Sequence, residues 1–114
     1  MDSKINQYRQ VTKQAITQYE ELINRRPEPG QETQAVFDEE RDHYILHTIG
    51  WEGTQRVWNT TLYVRIRAGK IWVEIDWTEN GIATDLLEAG VPKEDIVLAF
   101  HHPDVRRYTE FAVA

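Results

Sequence analysis

The hydrophobic positions of this chain change period once, and the change divides it into a helical and a β portion. From Ser3 to Arg26, the residues Ile5, Tyr8, Thr12, Ala15, Tyr19 and Leu22 recur at spacings of three and four, with Val11, Ile16 and Ile23 widening the stripe. That spacing predicts one face of a long helix. Asp2 or Ser3 is placed to cap its free amides, Arg25 and Arg26 suit the negative end of its dipole, and Pro27 forbids continuation. Such a seam can lie on a sheet or pair with another helix, and the usual layering of domains favours the sheet.

After the polar connector Pro27-Glu28-Pro29-Gly30-Gln31-Glu32 the period falls to two, which predicts strands. Gln34 to Phe37 reads as a weak first strand, Asp38 to Asp42 as an acidic turn, and His43 to Trp51 as a second strand. Glu52-Gly53-Thr54 then turns into a third strand, Gln55 to Arg67. Ala68-Gly69 separates two runs in matching alternation and predicts a tight hairpin, with Leu62, Val64 and Ile66 facing Ile75, Val73 and Ile71. The other side of that ribbon then sets Tyr63 across from Glu74, Arg65 across from Trp72, and Thr61 across from Asp76.

That second side carries an apolar cluster if the pairing has no bulge: Ile45, Ile49 and Trp51 on one strand, with Val57, Tyr63 and Trp72 on its neighbours. Exposed patches of this kind are rare on monomers, so a second layer is expected over it, supplied by the chain's own C-terminal part or by another subunit. Beyond Trp77, Thr78 or Asn80 is placed to cap a short helix from Ile82 to Ala89, which Gly90 and Pro92 stop. Lys93-Glu94-Asp95 reads as a further turn, Ile96 to Phe100 as strand or helix, and Pro103 as the first residue of a last short helix ending near Tyr108. Together these readings predict a single α+β domain over residues 1–114: a long N-terminal helix on an antiparallel meander of about four strands, followed by short C-terminal helices.

Composition narrows the function. With no cysteine there is no disulfide framework, thiolate zinc site or cysteine nucleophile. No apolar run reaches the ~20 residues of a bilayer span and no signal core follows Met1, so a cytoplasmic protein with no membrane contact is expected. The net charge of −6 opposes phosphate backbones, although Arg65, Arg67, Arg106 and Arg107 could contact DNA if folding gathers them.

Catalytic and metal readings find little support. His43 and His47 stand roughly 13 Å apart along a strand, too far to chelate one ion together. Adjacent His101 and His102 point apart, so a site would need one of them to meet a distant carboxylate such as Glu79, and a cap on the Pro103 helix explains one of them better. A hydrolase built from His101, His102 and Glu79 or Asp76 is the remaining enzymatic reading, and Glu74 and Asp76 beside arginines are otherwise ordinary strand-face charges. Gly50 and Gly53 form no phosphate loop, and Ser3, the one serine, lacks a nucleophile elbow. No cofactor, metal or catalytic residue is therefore assigned, and interface anchors are sought instead. Trp51, Tyr63, Arg65, Trp72, Phe100, Tyr108 and Phe111 are the candidates, since aromatic and Arg side chains dominate interface energetics. Trp58 joins them, with core packing as the alternative for both Trp58 and Phe100.

Three segments carry a family resemblance: Gly90 to Val113 (GVPKEDIVLAFHHPDVRRYTEFAV), Gly69 to Ile75 (GKIWVEI) and Gly50 to Val57 (GWEGTQRV). In order and spacing they resemble the fdxN element excision controlling factor XisI family. The resemblance implies a cyanobacterial, cytoplasmic, non-enzymatic factor of DNA recombination. It would assist a site-specific recombinase in excising a DNA element during heterocyst differentiation, alongside a XisH-like companion of nuclease-like fold. A homo-oligomer, a direct DNA-binding accessory protein and a module that restrains its partner outside the excision system are all compatible with it.

Overall fold

The computed structural model describes residues 3–114, so the cap expected from Asp2 or the Ser3 side chain lies outside the described residues. Helix α1 (Ser3–Asn24) ends two residues before the predicted boundary, ahead of Pro27. The strands are β1 (Gln31–Asp38), β2 (His43–Glu52), β3 (Gln55–Arg67), β4 (Lys70–Asp76) and β5 (Ile96–Leu98), in a sheet of order β1-β2-β3-β4-β5. Two short helices complete the chain, α2 (Ile82–Glu88) and α3 (Pro103–Arg106), with a 3-10 turn at Lys93–Asp95 between them. The meander expected to have about four strands gains a fifth, because Ile96–Leu98 settles as a strand parallel to β4, Ile71 opposite Ile96 and Val73 opposite Leu98.

The core lies between α1 and one side of the sheet. Tyr8, Ala15 and Ile16 pack with Tyr44, Leu46, Leu62, Val64, Ile71 and Val73, joined by Ile82, Leu86 and Ile96 from the C-terminal half. Leu22, read as part of the stripe, is instead 58% exposed, since Ile23 takes the inward position in the last turn. Three side chains on α1 also end on carboxylates of three separate segments, the 3-10 turn, α2 and the β1–β2 turn. The Tyr8 hydroxyl donates to Asp95, Tyr19 donates to Asp85 Oδ2 at 2.6 Å, and Arg9 grips Asp42 with Nε and Nη2 at 2.8 and 3.0 Å. The tyrosines thus bury their rings and satisfy their hydroxyls at the rim, which a purely apolar stripe does not require.

Two bulges decide which residues share a sheet face. Between β2 and β3 the register slips after Leu46, leaving Thr61 without a partner, so Trp58 pairs with Ile49 and Val57 with Gly50. Between β3 and β4 the register slips at Tyr63/Val64: Val64 still meets Val73 and Ile66 meets Ile71, but Tyr63 meets Ile75 and Leu62 meets Asp76. The expected pairs Leu62–Ile75, Tyr63–Glu74 and Thr61–Asp76 are therefore corrected, because an extra residue reverses every side chain beyond it. The Arg65–Trp72 pair stands, and the Ala68-Gly69 hairpin closes with both residues at positive φ, 53° and 77°.

Candidate functional site

The side of the sheet away from α1 is built by alternation from the bulged register. β2 gives it His43, Ile45, His47, Ile49 and Trp51, and β3 gives it Arg56, Trp58, Thr60, Tyr63 and Arg65; from β4 come Trp72 and Ile75. Val57, expected here, lies on the opposite side because of the first bulge, and Trp58 replaces it. Trp58 is 62% exposed and Phe100 48%, which removes core packing as their explanation.

The two ends of this face differ. At the β4–β5 end Trp72 is only 9% exposed, its indole donates to Arg67 O at 3.1 Å, and the Arg67 and Arg106 guanidinium groups lie 4.7 and 5.7 Å from its ring centre. The C-terminal segment holds this cover in place: Ala112 bridges Val97 and its amide donates to Ile96 O at 2.9 Å. Arg106 donates to the carbonyls of Ala99, His101 and Val113. The chain's own tail is therefore the second layer at this end, and Trp72 has almost no surface left to offer a partner. Phe111 is half-buried against the core.

At the other end the β2–β3 arm stays open. Trp51 is 51% exposed, and Arg56 stacks between Trp51 and Trp58, 5.1 and 5.8 Å from their ring centres. In the middle, Tyr63 shares a hydrogen bond with His43 Nδ1 at 2.8 Å and Arg65 pairs with Glu74 Oε2 at 3.0 Å, so both are half-buried and partnered. Tyr108 projects from the middle of the tail, 75% exposed beside Arg107, whose Nη2 donates to its hydroxyl at 2.9 Å. The seven candidates thus form no single patch: Trp51 lies on the arm, Tyr63 and Arg65 mid-sheet, Trp72 beneath the tail, and Phe100, Tyr108 and Phe111 on the tail itself. Sequence reasoning missed Trp77, which is 81% exposed immediately after β4. Its position two residues after the last alternating apolar residue of the strand was the available signal.

The histidines are engaged singly. His47 Nδ1 meets Thr60 Oγ1 at 3.0 Å with its ring edge-on to Trp58, His101 stacks on Phe100, and His102 Nδ1 accepts from Asp104 N at 3.2 Å as the α3 cap. Among the described residues no three His, Asp or Glu side chains gather to hold a metal ion. Asp76 is spent on structure, its Oδ2 accepting from Ile82 N at 2.7 Å.

The sequence profile of the XisI protein family matches residues 1–113. The chain belongs to the XisI family. Among solved structures, the crystal structure of the fdxN element excision controlling factor XisI from Anabaena variabilis ATCC 29413 is similar, with a TM-score of 0.88 and 41% identity over 98% of this chain and 100% of that one. A XisI-like protein from the same organism matches with a TM-score of 0.87 and 34% identity, over 94% of this chain and 96% of that one. No curated protein matches. The XisI fold is therefore an N-terminal helix, a five-stranded mostly antiparallel sheet and short C-terminal helices. Among the described residues of this XisI chain no helix is long and apolar enough to cross a membrane.

Proposed function

We propose that this XisI-family chain is a non-catalytic controlling factor that acts by docking a protein partner, a XisH-like companion of nuclease-like fold, and through it assists a site-specific recombinase. One observation carries the reading. Tyr108 and Arg107 project from a segment that Arg106 on one side and Ala112 on the other pin to the sheet, so an aromatic–arginine pair is presented on a rigid mount. Tyr and Arg are the usual energetic anchors of an interface, and an ordered backbone beneath them reduces the entropy lost on binding. Exposed Phe100 and Val105 extend the same segment.

The test is co-purification with a XisH-like protein. Tyr108→Ala combined with Arg107→Ala should lower recovery at least tenfold without changing the circular dichroism of the chain. Recovery that is absent for the wild type, or equal for both, ends the reading.

Arg65, Arg67 and Arg106 collect around Trp72, which favours a second reading, direct contact with DNA. Against it, Arg65 is matched by Glu74, the Arg106 donors are spent on carbonyls, and the whole chain is acidic. Binding of this kind must weaken steeply with salt, so a mobility shift missing at low ionic strength dismisses it.

A further inference from the structure

The sheet protects both of its outer edges, β1 and β5, and leaves one stretch of β3 open. At β1, Asn24 Nδ2 donates to Thr33 O at 3.2 Å and Glu20 Oε2 accepts from Ala35 N at 2.6 Å, so side chains of α1 occupy backbone groups that would otherwise invite another strand. At β5, the Val97–Ala112 bridge does the same with the tail. β3, however, runs well past β4, which pairs only with Leu62 to Arg67; Trp77 N donates to Thr61 O at 2.9 Å, and from Gln55 to Thr60 no strand lies on that side among the described residues.

The direction of the free groups follows from the neighbouring pair. Trp51 N donates to Gly30 O at 3.0 Å on the β1 side, so alternation makes Gly50–Val57 the pair bonded across β2–β3. The backbone groups of Arg56 and Trp58 therefore point outward, toward the open edge. Beside them a groove of about 450 Å³ is lined by Trp58, Asn59, Thr60, Thr61, Ile75 and Trp77.

We infer that this edge pairs with the same edge of a second copy, antiparallel about a two-fold axis at Trp58, joining two five-stranded sheets into one. The outward-pointing residues Arg56, Trp58 and Thr60 are centred on Trp58, so the two-fold sets Trp58 opposite itself, Val57 opposite Asn59 and Arg56 opposite Thr60. The only charge in the stretch, Arg56, then meets a neutral partner and no like charge, which is the condition an isologous strand pair must satisfy. Area points the same way. Trp58 and Trp77 line the groove at this edge and are 62% and 81% exposed, so pairing brings four exposed indoles of two copies, on the order of 150 Å² each, to the seam before any backbone is counted.

This inference is independent of the partner-docking reading, since it concerns the purified chain alone and leaves Tyr108 untouched. Light scattering at tens of micromolar should give twice the chain mass. Trp58→Glu, which sets two carboxylates face to face at the axis, should halve that mass with an unchanged circular dichroism spectrum. Because the chain has no cysteine, Trp58→Cys adds a second and independent readout. Directly opposed Cα atoms lie about 5.5 Å apart, within disulfide range, so mild oxidation should yield a covalent dimer. Leu22→Cys, on the similarly exposed outer side of α1, should not. A wild-type monomer, a dimer indifferent to Trp58→Glu, or a Trp58→Cys dimer that stays uncross-linked each overturns the proposal.

Discussion

Asp76 closes the N-terminus of a helix that begins six residues after it, its Oδ2 accepting from the amide of Ile82 at 2.7 Å while its Oδ1 accepts from Thr78 N at 2.9 Å. The cap position itself is Gly81, which has no side chain to serve, so the expected capping by Thr78 or Asn80 does not occur directly; Thr78 Oγ1 instead accepts from Gly81 N. Asp76→Ala should therefore cost about 1–2 kcal/mol, the usual loss for a helix cap, and Asp76→Asn less. Urea unfolding followed by circular dichroism measures it, and a loss equal for both substitutions would contradict the capping role.

The acid limit of stability should depend on Arg9. Its guanidinium hydrogen bond is the largest influence on Asp42 and, with help from the Tyr44 hydroxyl, outweighs burial to hold that carboxyl below the usual range. Asp95 is also lowered: burial opposes its ionisation, but the Tyr8 hydroxyl and the Lys4 ammonium together prevail. Groups depressed in the fold contribute stability above their unfolded value, about 4, and lose it as pH falls through the folded one. Arg9→Met should move the midpoint of acid unfolding to higher pH.

The alkaline limit belongs to the tyrosines. Burial, then the bond to Asp85, pushes Tyr19 up to about 12. Its contribution is complete below the unfolded value of about 10 and disappears as pH rises through the folded one. Tyrosinate absorbance should therefore show Tyr19 ionising late in the wild type, and Asp85→Asn should bring it earlier.

Gly50 has no room for a side chain, since a Cβ there would stand 2.1 Å from Gly30 O and 2.7 Å from Gln31 Cα, both backbone atoms. Gly50→Ala must displace the start of β1 and should cost about 1–3 kcal/mol, the range for overpacking. Thermal unfolding would register it; no change in midpoint would mean that β1 yields freely.

Ala68 adopts φ 53° in the hairpin, where a non-glycine residue carries about 1–2 kcal/mol of strain. Asn tolerates this conformation, so Ala68→Asn should raise stability by about 0.5–1 kcal/mol, and a neutral or negative result in denaturant titration would argue against a primed turn.

What the sequence disclosed and what it hid divide by range of interaction. The end of α1, the Ala68-Gly69 turn and the Gly90 stop depend on neighbours within a few residues. The family motifs were legible too, and with them the fold class. The two bulges were not, because Thr61 and Glu74 are displaced by pairing across strands rather than by any local signal, although a thirteen-residue β3 facing a ten-residue β2 hinted at surplus. The bulges in turn decided the candidate surface, bringing Trp58 outward and sending Val57 inward. Trp72 was misjudged for a related reason: the Arg106 side chain that helps Arg67 cover it comes from the tail, 34 residues away in the chain.

The single parallel junction also sets an order of assembly. Each earlier strand pair joins sequence neighbours through a short turn, whereas β5 reaches β4 only when Ile96 meets Ile71 across α2 and the 3-10 turn. Closing that longer loop carries the larger entropic penalty and comes late, after the meander has condensed on α1. Weakening Ile96 should then accelerate unfolding while leaving the refolding rate almost unchanged.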